Sequence, residues 1–387
     1  MRGTVATDAI RSRRLLMGYF AGLGVVMAVW GARMPAVQQA AELSTAALAL
    51  VLLAAAIGMV LGLQVGGRLA QPSRHPILLT SGTVGLAVAL AALGLCRSQG
   101  ILLVGALVFG AAHGVLDVAA NSAAVRCQDA YGRPIMAAFH AAYSLGALAG
   151  ASLAAATAHT SHTSLFAIVG AVAVGGALAA APGSRCLGVR TLAPRHTPSL
   201  HHVDDQSGLP RPRLWLLGAL AASCLLGEGA AADWAAVHLH SLDASAATSA
   251  AAFALYSAAM AGGRLAGDRL TARFGAAAVV RTGAVLAATG LTMGLVLPGV
   301  EPALLGWAAF GLGLSVTVPS LITAAGTGGP RAVATVAVTG YLGLLAGPAL
   351  VGALASITTL PTSLLLPALL AAAVAALSHQ ALENSTP

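Results

Sequence analysis

Lysine is absent from all 387 residues, and the 12 acidic residues face 20 basic ones that are all arginine. Charged residues make up 8% of the chain and aromatics 4%, whereas an ordinary soluble domain carries about 25% Asp, Glu, Lys and Arg. So little charge cannot clothe a water-facing surface, which excludes a conventional soluble enzyme and a disordered chain. The four cysteines, Cys96, Cys127, Cys186 and Cys224, form no CxxC pair and no metal-ligand spacing. They argue for neither a disulfide scaffold nor a metal site and read as packing thiols. Without lysine there is no GxxxxGK[ST] phosphate loop, and no clustered catalytic set such as HExxH appears. The chain reads as a non-enzyme that needs no cofactor.

What is present is apolar. Hydrophobic residues reach 58% and glycine 46 positions, and glycine is frequent where membrane helices pack closely. A membrane helix needs about 20 apolar residues. Stretches of that kind fall near 15–32, 45–67, 76–96, 101–125, 135–158 and 164–182, then near 214–237, 247–267, 276–298, 302–324, 332–356 and 361–380. Between the two sets lies a polar connector, 183–213, with five arginines, three histidines and several prolines. The expected domains are therefore an N-terminal six-helix bundle over 1–182, a linker over 183–213 and a C-terminal six-helix bundle over 214–387.

Arginine placement orients this pattern. With the N-terminus inside, 18 of the 20 arginines fall on inner segments, and only Arg33 and Arg97 fall outside. The bias of basic residues toward the cytoplasmic side places both termini and the linker in the cytoplasm. The net charge of +8 is then a topology signal, and nucleic acid is not an expected partner.

The halves repeat. Gly66-Gly67-Arg68-Leu69-Ala70 recurs as Gly262-Gly263-Arg264-Leu265-Ala266, each at the inner end of the second helix of its half. Arg133 and Tyr143 match Arg331 and Tyr341, and the GxxxG pair Gly146/Gly150 matches Gly343/Gly347, at offsets close to 197. Two parallel repeats of six helices are the arrangement of major facilitator transporters.

The stretch Gly263-Arg264-Leu265-Ala266-Gly267-Asp268-Arg269-Leu270, continuing to Arg273-Phe274-Gly275, resembles the loop motif of the major facilitator superfamily. In the first half Pro72 stands where Asp268 stands in the second, so the N-terminal copy departs from the motif. Trp30-Gly31-Ala32-Arg33-Met34-Pro35, Gly114-Val115-Leu116-Asp117-Val118-Ala119-Ala120-Asn121, Gly132-Arg133-Pro134-Ile135-Met136 and Glu228-Gly229-Ala230-Ala231-Ala232-Asp233-Trp234 are similar to the fucose-permease-like and rhizopine-transporter-like branch. The resemblance implies an all-α membrane protein of 12 transmembrane helices in two pseudo-symmetric six-helix bundles. It also implies solute transport, often with protons, and a cytoplasmic gate built from Gly263, Arg264, Gly267, Asp268, Arg269 and Arg273. In that gate Asp268 is expected to pair with neighbouring arginines or with a helix N-terminus.

Charge at membrane depth marks function by default, because it is costly there. Asp117, Glu228 and Asp233 are the acidic residues that fall within apolar stretches and are the proton-coupling candidates. His113 and Asn121 lie four residues to either side of Asp117, so the three share one helix face. Glu228 stands about 22 Å along its helix from Arg213, which favours it as the proton carrier. Asp233 lies farther out, and Arg33 is a possible ion-pair partner for either acid. His113, Asn121, His140, Tyr143, Ser144, Arg33, Trp234 and Tyr341 are the substrate-binding candidates. Trp30, Trp234 and Trp307 near outer helix ends, with Trp215 at an inner end, fit an interfacial belt. The outer histidines His159, His162, His238 and His240, and the linker's His196, His201 and His202, have no carboxylate or cysteine companions, so no metal site is expected.

The expected activity is secondary transport of a small sugar- or polyol-like solute, with protons, across the cytoplasmic membrane by a monomer. The resemblance leans toward symport, because the fifth helix lacks the Gly-Pro motif usual in drug–proton antiporters of the superfamily; Gly347-Pro348 lies in the eleventh instead. Proton-coupled efflux of a drug or metabolite is the alternative within the class. A non-transporting membrane sensor is the alternative outside it.

Overall fold

The computed structural model describes residues 2–188 and 209–382. Arg190, Arg195 and the linker histidines His196, His201 and His202 lie outside the described residues. The first half contains α1 (Arg2–Ala32), α2 (Thr45–Leu69), α3 (His75–Leu93), α4 (Gln99–Tyr131), α5 (Met136–Ala156) and α6 (His162–Ser184). The second contains α7 (Arg211–His240), α8 (Ala246–Phe274), α9 (Ala276–Val296), α10 (Val300–Leu314, resuming as Thr317–Gly326), α11 (Gly329–Ile357) and α12 (Leu365–Leu382). In hydrocarbon every backbone polar group must find its partner inside the chain, which leaves the helix as the economical solution.

Eleven of these segments are long and apolar enough to cross a membrane by length and composition. The twelfth, α8, has the length, with 29 residues, but has Thr248 and Ser249 in its first turn and carries Arg264, Asp268, Arg269 and Arg273 toward its end. Ile77, Val172, Leu305 and Ile357 lie exposed, as a lipid-facing surface requires.

The chain divides into two compact units. Among the described residues, one comprises 2–133, 139–188 and 329–334; the other comprises 134–138, 209–328 and 335–382. Within the first, α2 and α4 pack most extensively. A Cβ on Gly58 or Gly62 would lie 2.0 or 2.1 Å from the carbonyl of Leu107 or Ala111, and one on Gly110 would lie 1.9 Å from that of Ala55. Backbone thus meets backbone along this pair, a close approach that small residues permit.

The GxxxG pairs act in the same way. A Cβ on Gly146 or Gly150 of α5 would strike the carbonyl of Ala21 or Val25 of α1, and one on Gly343 or Gly347 of α11 would strike that of Ala222 or Leu226 of α7. The repeat read from sequence is therefore a repeat of two helix seams, one in each unit.

Three boundaries differ from the sequence reading. The first helix begins at Arg2, well before Leu15. The second-half motif does not sit in a loop: α8 runs on to Phe274, so Gly263 to Arg273 are all helical. Its counterpart α2 stops at Leu69, just before Pro72, whose ring and missing N–H cannot continue a helix. The tenth stretch is not continuous, because α10 breaks at Ser315–Val316.

These contacts predict unequal tolerance among glycines. Gly146→Leu and Gly343→Leu should each cost about 1–3 kcal/mol through overpacking, whereas Gly175→Ala, where a Cβ meets nothing within 4 Å, should cost nothing. Thermal unfolding of the purified variants in detergent would rank them; equal midpoints would contradict the seams.

Candidate functional site

In the second unit α7, α8 and α10 surround an ion pair between the buried Arg264 and the half-buried Glu228. Arg264 Nη2 lies 3.4 Å from Glu228 Oε1, with side-chain exposures of 10% and 20%. Both residues sit deep within long helices, Glu228 in α7 (30 residues) and Arg264 in α8 (29 residues). The pairing follows from two local features.

The first is Pro319. It has no N–H, so the carbonyl four residues earlier, that of Ser315, loses its helical partner. Arg264 Nε donates to that carbonyl at 3.4 Å. The second is Gly263, where a Cβ would lie 2.2 Å from Ser315 Oγ; its absence lets α8 close on α10 and delivers the guanidinium to the break. Cys224, one turn before Glu228, turns its Sγ toward the carbonyl of Leu314 at 4.0 Å. Cys224 and Tyr256 both lie within electrostatic reach of Glu228 and Arg264, and Tyr256 packs beside Phe310 with ring centroids 6.1 Å apart.

This cluster was only half visible in the sequence. Glu228 was singled out, but Arg264 was assigned to the gate, and Cys224, Tyr256 and Ser315 were missed. The available signal was the spacing 256, 260, 264, which lies on one helical stripe, together with a proline inside an apolar stretch. Within the first unit the Arg33 guanidinium donates to the carbonyls of Ala158 and Thr157 and to the Thr157 hydroxyl, acceptors that follow the last residue of α5, Ala156.

Asp268 occupies a helix N-terminus. Its two carboxylate oxygens accept from the main-chain N–H groups of Ala137 (2.9 Å) and Ala138 (3.1 Å), residues that group with the second unit. The first N–H groups of a helix have no partner of their own, and an anion there also meets the positive end of the helix dipole. Gly267 permits the contact, since a Cβ would come within 2.8 Å of Ala137 Cβ. Arg269 and Arg273 are exposed, and Arg273 lies over the Phe274 ring at 5.3 Å.

In the first unit His113, Asp117 and Asn121 are buried on one face of α4, 5%, 8% and 3% exposed. Asn121 Nδ2 donates to the Asp117 carbonyl at 2.9 Å and to its carboxylate Oδ1 at 3.2 Å. At about 100° per residue, the stripe runs from beside Phe109, whose ring lies 5.1 Å from that of Trp30, round to the glycine side, Gly110 and Gly114, that packs on α2. His140, Tyr143 and Ser144 are half-buried on α5. The His140 ring lies 5.6 Å from Phe20, and Ser144 Oγ donates to the His140 carbonyl at 3.1 Å.

In the second unit Asp233 is exposed and Tyr341 half-buried, and Trp234 Nε1 donates to the Pro348 carbonyl at 3.2 Å. The belt reading fits Trp215, which is 60% exposed, but not Trp30 or Trp307, both buried. Trp307 Nε1 donates to His238 Nδ1 at 3.3 Å, so His238 is a core hydrogen-bond acceptor of α7 rather than a loop residue.

The fold and these intramembrane polar groups define a polytopic helical membrane protein with an internal repeat, and comparison with known proteins places it. The Major Facilitator Superfamily profile matches residues 15–330. An uncharacterised transporter, y4wD of Sinorhizobium fredii, is 33% identical over 384 residues, covering 95% of this chain and 98% of its own. Among solved structures, the E. coli fucose:proton symporter FucP superposes with a TM-score of 0.66 at 16% identity, covering 95% of this chain and 98% of its own. The proton:xylose symporter XylE does so with a TM-score of 0.75 at 12% identity, covering 97% and 96%. The chain belongs to the Major Facilitator Superfamily. It is a multi-pass membrane transporter with 12 membrane helices in two six-helix bundles, and not an enzyme.

The ion pair predicts a characteristic pattern of stability loss. Glu228→Gln or Arg264→Met alone leaves one buried charge uncompensated and should cost about 3–5 kcal/mol, whereas the double variant should recover part of that loss. Additive losses in a double-mutant cycle would mean that the two side chains do not interact. Asp268→Ala should cost about 1 kcal/mol, the usual worth of a helix N-cap, read as a lower unfolding midpoint.

Proposed function

We propose that this protein is a proton-coupled symporter for a small polar solute of the sugar or polyol class, working by alternating access, in which one helical repeat moves against the other. The observation that carries the reading is the Glu228–Arg264 pair at membrane depth. An ion pair there is stable only while both charges persist. A proton arriving on Glu228 cancels the attraction and releases Arg264 from its partner, so protonation becomes a change of contacts.

The solute is assigned to hydroxyl- and amide-bonding side chains: His113, Asp117 and Asn121 on α4, and His140, Tyr143 and Ser144 on α5. The amide oxygen of Asn121 accepts no hydrogen bond among the described residues and suits a hydroxyl donor. Support also comes from the solved structures of similar fold, two of which are sugar–proton symporters. Arginine placement supports cytoplasmic termini, and the protein is proposed to act as a monomer.

The test is uptake into proteoliposomes under an imposed pH gradient, with solutes first chosen by thermal stabilisation of the purified protein across sugars and polyols. Accumulation should require the gradient. Glu228→Gln should lose gradient-driven accumulation while retaining solute exchange at equal pH. If Glu228→Gln and Asp117→Asn both accumulate solute like the unmodified protein, the carboxylate assignment is wrong; if accumulation ignores the gradient, proton coupling is wrong.

A further inference from the structure

The first unit carries a groove for which the transport reading has no use. It has a volume of about 460 Å³ and runs between α1 and α6, past Arg14, Tyr19, Gly22, Val172 and Gly176. The trough exists because side chains are missing from both walls: a Cβ on Gly18, Gly22 or Gly176 would meet nothing within 4 Å. This is the reverse of Gly24 and Gly146, which are pressed against backbone. The groove opens sideways, since Ile168 and Val172 on its α6 wall are 59% and 70% exposed.

Two polar features are set into this apolar trough. Arg14 lines one end, and an adjoining hollow of about 330 Å³ is lined by Ile10, Arg11, Arg14 and Leu15. Farther in, Tyr19 lines the groove at 7% exposure, and its hydroxyl has no hydrogen-bond partner among the described residues. Along α1 the order is cation, phenol, then apolar wall, with Arg14 and Tyr19 separated by about 7.5 Å of helix rise.

We propose that this groove binds an anionic phospholipid. The phosphate sits at Arg11 and Arg14, the Tyr19 side chain forms part of the wall, and one acyl chain fills the trough toward Val25 and Val26. The charge at the rim selects the headgroup, and the arginine bias assigns that end to the cytoplasmic leaflet, where basic residues between membrane helices attract anionic lipids.

Native mass spectrometry of the full-length protein in neutral detergent, titrated with phosphatidylglycerol or phosphatidylcholine, tests the site. Phosphatidylglycerol should bind the unmodified protein more tightly. Arg14→Gln should weaken phosphatidylglycerol about fivefold, the worth of one basic residue near an anionic surface, and leave phosphatidylcholine unchanged. Gly22→Leu with Gly176→Leu should fill the trough and remove the bound lipid, while Arg97→Gln, outside the groove, should bind as the unmodified protein does. Equal binding of the two lipids, or undiminished phosphatidylglycerol binding by Arg14→Gln, overturns the proposal. Because Arg14 is exposed, that variant keeps the test decisive even if the double leucine variant fails to fold.

Discussion

An ionised side chain removed from water must find compensation within a few ångströms, and this chain offers few places to find it. Glu228 and Arg264 provide it for each other at 3.4 Å, and the surrounding structure is arranged to make that possible. Pro319 strips the Ser315 carbonyl of its helical partner, Arg264 takes that carbonyl, and Gly263 removes the side chain that would hold the helices apart. One guanidinium therefore satisfies a carboxylate on α7 and a broken backbone on α10. Asp268 serves the same requirement at a helix end, where the unpartnered groups are N–H donors rather than a cation.

Much of the architecture was legible because a bilayer imposes a length and a polarity on every crossing segment. Six stretches, a polar connector and six more follow from apolar run length, and the GxxxG pairs marked the seams that Ala21 and Ala222 complete. What escaped was set by geometry between segments. Hydropathy cannot show that Arg264 reaches across from α8 to Glu228, since the two are 36 positions apart and each reads alone as a costly charge. It also cannot separate a tryptophan at a helix end from one in a core, and Trp307 pairs with His238 inside the second unit. The α8 extension was missed for a related reason: Arg269 and Arg273 look like loop residues until the helix is seen to continue beneath them.

The two halves have parted where the motif begins. In the first, Pro72 ends α2 early and leaves Arg68 exposed. In the second no proline intervenes, the helix continues to Phe274, and Arg264, the counterpart of Arg68, is buried. An equivalent arginine is thus a surface charge in one repeat and an interior one in the other. The difference comes from how far the helix runs and from whether a neighbouring helix offers it an acceptor.

The glycine seams limit which replacements either half can take. Where one main chain rests on another's carbonyl, no replacement larger than hydrogen is accommodated, whatever its polarity. Gly146 and Gly150 lie against Ala21 and Val25, and Gly343 and Gly347 against Ala222 and Leu226. The repeat is therefore kept at positions without side chains, Gly146 and Gly150 in one half and Gly343 and Gly347 in the other, beside the matching Tyr143 and Tyr341.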